Sequence, residues 1–286
     1  MKLKNLLKGI ILYILISGIR VANAQDLPKT ELTIATYNIR LNVASDSINA
    51  WPNRKEWVRE LIQYHNFDIF GVQEALNDQM VDLQELHGFD YVGGGRDDGK
   101  QAGEYSAIFY NTKKFSVLKT GTFWLSPTPE KPSKGWDAGI VRICTWACFS
   151  DVKSGKLFYV FNTHFDHIGV KARENSAKLI LEKVEDLVPP GTPVIVTGDF
   201  NSTPETSAYQ TMNTNMADAR EVTRTKPYGP IGTFNNFNYN SDLKERIDYI
   251  FVNSKVEVLK YGVLSDAKDK HFPSDHLPVV CRISLN

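Results

Sequence analysis

The sequence predicts an α/β fold in which two packed sheets are covered by helices. Three observations carry that prediction. Apolar runs of strand length recur in both halves of the chain, and amphipathic stretches at helical spacing fall between some of them. The chain has 286 residues, 42% of them hydrophobic, enough for one large core, and no linker-like segment divides it.

The first residues read as a leader. Lys2, Lys4 and Lys8 precede the apolar stretch Ile10 to Ile19, and Ala22-Asn23-Ala24 supplies the small residues that a signal peptidase needs. The apolar run is about half of the roughly 20 residues that span a bilayer. The expectation is therefore a cleaved signal peptide at 1–24 and a single catalytic domain at 25–286. That domain would be exported to the periplasm or beyond, without stable membrane insertion, and would act as a monomer. The leader holds Lys2, Lys4, Lys8 and Arg20 and no acid, so a formal charge of zero over the whole chain becomes −4 without it. Such a balance argues against a surface built to grip duplex phosphates, although a locally basic cleft remains open. Cys144 and Cys148 stand four apart on an expected strand, roughly 13 Å at about 3.3 Å per residue, which is beyond disulfide reach.

In order along the chain, Leu32 to Asn38 reads as a strand. Asn53 with Glu56 three residues on resembles a capping box, opening a helix that carries Trp57, Val58, Leu61, Ile62 and His65. The strand Phe67 to Val72 delivers Glu74, and a second helix is expected near Asp78 to Leu86. From Tyr105 to Phe161 the pattern is an antiparallel meander of four strands, turning at Ser154-Gly155. Within it, Leu125 to Gly139 holds Pro127, Pro129 and Pro132 and reads as a loop forming a lip over the site. A long amphipathic helix follows from Val170 to Val188, then the strand Val194 to Thr197. Strands near Arg246 to Val252, Val256 to Leu264 and Val279 to Ile283 close the chain.

The chemistry sits at the ends of these strands. Glu74 ends an apolar run, where a carboxylate projects into a cleft and suits a hard divalent cation. Asp199 and Asn201 leave the strand Val194 to Thr197 two residues apart, so an extended backbone points both the same way, one to orient a water and the other to hold a phosphate oxygen. Asp248 lies inside an apolar strand, where a lone carboxylate is costly, and pairing with His276 would satisfy both. His164 ends another strand, with Asn162 and Asp166 on the same face. A zinc site of His164, Asp166 and His167 is an alternative, weakened because His167 points to the other face.

Tyr37-Asn38, Gln73-Glu74, Asn162-Thr163-His164, Gly198-Asp199-Phe200-Asn201, Ile247-Asp248-Tyr249 and Ser274-Asp275-His276 occur in this order. The set resembles the endonuclease/exonuclease/phosphatase family of metal-dependent phosphoesterases, DNase I-like proteins. The resemblance implies a four-layer αββα sandwich of mainly antiparallel sheets. It implies Mg²⁺ or Mn²⁺ at Glu74, assisted by Asn38 and Asp275, with Asp199 and Asn201 positioning the water and phosphate. His276, paired with Asp248, would be base or phosphate stabiliser. His164 would act near the leaving group, and Glu104 aligns with its acidic partner.

Substrate choice is less determined. Trp124 and Trp136 read either as stacking residues or as core aromatics, and Arg142 as a phosphate clamp or a buried structural ion. The charge balance favours a small or lipid-type phosphate ester over nucleic acid. The alternatives are a secreted DNase I-like nuclease, and a non-catalytic binding module on the same fold.

Overall fold

The inward-facing rows of four strands turn polar toward their carboxyl ends, and that pattern positions the site. The computed structural model describes residues 29–286, so the expected signal peptide at 1–24 lies outside the described residues. Two six-stranded sheets are formed. The first has the order β11-β12-β1-β2-β4-β3 and the second β5-β6-β7-β8-β10-β9. The first comprises β1 (Thr30–Asn38), β2 (Ile69–Gln73), β3 (Phe89–Val92), β4 (Ile108–Asn111), β11 (Val256–Val263) and β12 (Val279–Leu285). The second comprises β5 (Phe115–Trp124), β6 (Ile143–Asp151), β7 (Leu157–His164), β8 (Val194–Asp199), β9 (Ala217–Asp218) and β10 (Asp248–Val252).

Each sheet contains one parallel pair at its centre, β1 with β2 and β7 with β8, and its other pairs are antiparallel. A parallel pair needs a crossover, and helices supply it. α1 (Lys55–Tyr64) joins β1 to β2, and α3 (Val170–Leu187) joins β7 to β8. The two sheets therefore share one design. In both, the paired strands run the same way, so Asn38, Gln73, His164 and Asp199 all fall at carboxyl ends.

Three apolar clusters define four layers. Ile34, Ile69, Ile108, Phe149, Val160, Ile195 and Ile250 pack between the sheets. Ala35, Phe70 and Val72 face outward against Val58, Ile62 and Leu83 of α1 and α2 (Asn77–Leu83). Phe161, Val196 and Phe251 face outward against Ala177, Ile180 and Met212 of α3 and α4 (Ser207–Asn215). Successive strand residues alternate faces. The inward row of β1 thus reads Leu32, Ile34, Thr36, Asn38, and that of β7 reads Phe158, Val160, Asn162, His164. The inward row of β8 reads Ile195, Thr197, Asp199.

Where these rows turn polar, the sheets are joined by hydrogen bonds. The Gln73 amide donates to Asn162 Oδ1 at 2.7 Å and to Thr36 Oγ1 at 3.0 Å, and Thr197 Oγ1 donates to Asn162 Oδ1 at 3.0 Å. Gly71 makes room, since a Cβ there would lie 2.2 Å from Asn162 Oδ1. Gln73 and Asn162 are thus seam residues beneath the site.

Several local expectations are corrected. Asn53 does not cap α1; its amide donates to the Ser47 and Ile48 carbonyls within the preceding turn, and Arg54 occupies the cap position. The expected four-strand meander divides, because β4 pairs with β2 in the first sheet while β5, β6 and β7 build the second. β3, absent from the expected elements, covers the far side of β4. Cys144, Cys148 and Cys281 are free and buried, and the first two are not paired with each other, as their spacing predicts.

Candidate active site

Tight left-handed turns carry three strands out of the sheets and into one cleft. Arg40, Glu74 and Asn201 have φ of 58°, 66° and 44°, a region that non-glycine residues occupy only where their surroundings hold them there. The expected extended path from Asp199 to Asn201 is therefore incorrect. The turn still brings both residues to the site, because Asn201 N donates to Asp199 Oδ1 at 2.8 Å. The cleft has a volume of about 490 Å³, and its lining includes Glu74, Glu104, Arg142, His164, Asp199, Asn201, Asp275 and His276. Asp248 and Asn38 stand behind that surface, hydrogen-bonded to residues that line it.

Asp199 is the hub. Its Oδ2 accepts from Asn38 Nδ2 at 3.0 Å and lies 3.4 Å from His164 Nε2 and 3.8 Å from His276 Nε2. Burial, then the charge of Asp248, pushes its pKa up to about 7. His276 Nδ1 donates to Asp248 Oδ2 at 2.9 Å, an oxygen that also accepts from Thr233 Oγ1 at 2.6 Å. Burial works against the charged ring of His276, but Asp248 and then Asp199 outweigh it and hold the ring's pKa well above the ordinary imidazole range.

His164 is opposite in character. Burial, then the nearby Arg142 charge, holds it well below the ordinary range, so the ring is neutral. Asn201 Nδ2 approaches its Nε2 at 3.1 Å and also donates to Phe165 O at 3.0 Å. Nε2 therefore accepts and the proton resides on Nδ1, a buried atom with no partner among the described residues. One carboxylate thus stands between an imidazolium and a neutral imidazole, the separation that marks distinct acid and base roles.

A second carboxylate pair, Glu74 with Asp275, lies beside this group. Asn38 Nδ2 donates to Glu74 Oε1 at 3.0 Å and Leu41 N donates to Oε2 at 3.2 Å. Arg40 stands 3.9 Å from both carboxylates while its main partner is Asp46 at 2.9 Å. Burial raises the pKa of Asp275, His276 opposes this, and the Glu74 charge raises it further. Two crowded oxygen donors with only a long-range counter-charge suit a hard divalent cation. The Asn38 amide nitrogen faces both carboxylates in this arrangement, and its Oδ1 accepts from Arg40 N at 3.0 Å.

Asp199, Asp248 and His276 also bring one ligand-type atom each within 4.8 Å of one another. A protonated histidine hydrogen-bonded to one member makes that group a proton-holding unit and a poor cage for a metal. The zinc alternative fails as well, because Asp166 accepts from the backbone N–H groups of Gly139, Ile140, Ile168 and Gly169 and is spent on loop structure.

The expectation for Glu104 is corrected too. Its carboxylate meets Arg96 at 2.7 Å and Arg142 at 3.8 Å, and so holds two guanidiniums rather than the His164 ring. Arg142, 5% exposed, approaches His167 Nδ1 at 3.3 Å, and its Nε has no hydrogen-bond partner among the described residues. Trp124 is structural: it is buried and its indole donates to Arg96 O at 2.7 Å. Trp136 is 39% exposed but lies outside the cleft lining, as does the whole loop from Leu125 to Gly139. That loop is therefore no lip; Leu125 N donates to Arg142 O at 2.8 Å, and Ser126, Thr128 and Ser133 bond to one another. Sequence reasoning missed Arg40, Asp46, Asn236, Phe237 and Glu245, which also line the cleft. Arg40, two positions past Asn38, was the only one with a positional signal.

Residues 35–276 match the endonuclease/exonuclease/phosphatase family. The chain belongs to that family. It is 45% identical to an endonuclease/exonuclease/phosphatase family protein from Bacteroides thetaiotaomicron, over 90% of this chain and 99% of that one, with a TM-score of 0.87. It is also 45% identical to a mannosyl-6-phosphatase from Bacteroides thetaiotaomicron, over 88% and 99%, with a TM-score of 0.85. A mimivirus protein of uncharacterised role is 29% identical over 82% of this chain and 92% of its own length.

Proposed function

We propose that the protein is an exported, divalent-metal-dependent phosphoesterase that hydrolyses a small phosphate ester, most readily the phosphomonoester of a sugar. The observation that carries the reading is Asp199 between protonated His276 and neutral His164, beside the Glu74–Asp275 pair. The likeness to a mannosyl-6-phosphatase supports the sugar phosphate. The basic, apolar and small-residue pattern of residues 1–24 supports export, and residues 25–286 would make up one catalytic domain.

Asp199, with a pKa near neutrality, takes a proton from the attacking water as the new P–O bond forms in line with the one that breaks. The departing oxygen leaves as the alcohol, taking its proton from water at the open mouth of the cleft. The His276 imidazolium faces Asp199 and neutralises charge on the phosphoryl oxygens, so it acts as stabiliser rather than base. Asp248 keeps that ring charged. His164, being neutral, cannot deliver a proton as an imidazolium; its Nε2 accepts from the Asn201 amide and so holds Asn201, whose N–H donates to Asp199 Oδ1. Arg142 lines the cleft, and its guanidinium charge would attract a phosphate oxygen there. Glu74 and Asp275 would hold Mg²⁺ or Mn²⁺, which polarises the phosphoryl group and offsets its charge.

The test is release of inorganic phosphate from hexose 6-phosphates by the purified protein with Mg²⁺, with Mn²⁺ and with chelator, beside small diesters and duplex DNA. Metal-dependent turnover of hexose phosphates is expected. Efficient nicking of DNA with no phosphate released from small esters would replace this reading with a nuclease.

A further inference from the structure

The cleft has a wall that the catalytic groups do not use. Asn236, Phe237 and Glu245 line it, and the segment that carries the first two is fastened to the site from beneath. Asn235 N and Asn236 N donate to Asp275 O at 2.8 and 3.1 Å, and Asn235 Nδ2 donates to Ser274 O at 3.1 Å. Phe237 N donates to Asn235 Oδ1 at 2.7 Å. Next to them the Phe234 ring packs edge-on against His276 at 5.0 Å. Asn236 and Phe237 are both left-handed, with φ of 53° and 55°, so the chain accepts local strain to set these two side chains where they are. The Arg54 guanidinium lies 5.6 Å from the Phe237 ring centre.

The chemistry of the wall is specific. Phe237 offers an apolar ring, while the Asn236 amide and the Glu245 carboxylate have no hydrogen-bond partner among the described residues. A pyranose presents the complement, a face of C–H groups and a rim of hydroxyls that donate to a carboxylate and pair with an amide. The Glu245 charge disfavours a second phosphate at this place.

We propose that Asn236, Phe237 and Glu245 form the specificity wall that recognises the alcohol part of the substrate as a neutral pyranose. The proposal rests on the phosphoesterase reading above and adds the residues that select the leaving group.

The experiment compares kcat/KM for a hexopyranose 6-phosphate with that for ethyl phosphate, which carries no ring. It uses the full protein with Mg²⁺ and the variants Phe237→Leu, Glu245→Gln and Asn236→Gly. Glycine keeps the left-handed backbone while removing the amide, and thermal melting identifies any variant that fails to fold. The ratio of the two kcat/KM values is expected to fall about ten-fold in each variant, as loss of one ordinary substrate contact implies. Ratios unchanged in all three variants would overturn the wall, as would a wild-type ratio near one. If wild type hydrolyses no phosphomonoester at all, the phosphoesterase reading fails first. If the variants change hydrolysis of a nucleoside monophosphate and leave the hexose phosphate untouched, the pyranose assignment is wrong.

Discussion

His276 Nδ1 and Asp248 Oδ2 are 2.9 Å apart and buried, so the ring and the carboxylate act as one charged unit. His276→Ala and Asp248→Asn should each lower kcat/KM by about 10²–10⁴-fold. The double variant should lose little more than either single one, because the second change removes a partner already disabled. Fully additive losses would show that the two residues act separately. Asp248→Asn should also move the alkaline limb of the pH–rate profile to lower pH, since the carboxylate raises the ring's pKa.

Asp199 gives a stability prediction with a definite sign. Its pKa is pushed up to about 7 in the fold, so the folded state binds this proton more tightly than the unfolded chain does. The stabilising effect is full below about 4, the ordinary carboxyl range, and is lost as pH rises through about 7. Metal-free Asp199→Asn should therefore gain in melting temperature relative to wild type as pH goes from about 4 to 7. A constant difference across that range would contradict the burial and charge crowding around Asp199.

Glu74 has a structural partner in Asn38, which its place at a strand end did not reveal. Removing its charge should nevertheless relieve repulsion with Asp275. Glu74→Gln should weaken Mg²⁺ binding by at least about ten-fold in calorimetric titration, while the metal-free protein melts close to wild type. Unchanged Mg²⁺ affinity would remove Glu74 from the cation site.

Glu104 holds Arg96 and Arg142 in a largely buried cluster. Glu104→Ala should cost about 3–5 kcal/mol in urea unfolding, the usual result of leaving buried charge uncompensated. If stability is unaffected and only the pH dependence of turnover changes, the role beside His164 implied by family resemblance returns.

The sequence made the strand ends readable because each is an apolar run that stops at a carboxylate, amide or imidazole. That contrast is visible without coordinates, and it located Glu74, His164, Asp199, Asp248 and His276. Whatever depends on turn geometry was hidden. The left-handed exit at Asn201 overrides simple alternation, and the capture of Glu104 by Arg96 depends on a reverse turn between residues 96 and 104. The recognition wall was invisible for a related reason: Asn236 and Phe237 sit in a segment without periodicity, and only their fastening to Asp275 brings them to the cleft. Trp124 and the proline-rich loop drew attention by composition, yet they serve packing.

The Asn38 amide touches Glu74 on one sheet's margin and Asp199 on the other's, each at 3.0 Å. The reacting centre therefore has no home in either half of the molecule. Sliding one sheet past the other by a single residue, about 3.3 Å, would part the two carboxylates while leaving every helix and strand intact. Turnover is thus a vernier for the alignment of the halves: heat or denaturant should silence the enzyme before circular dichroism records any loss of secondary structure.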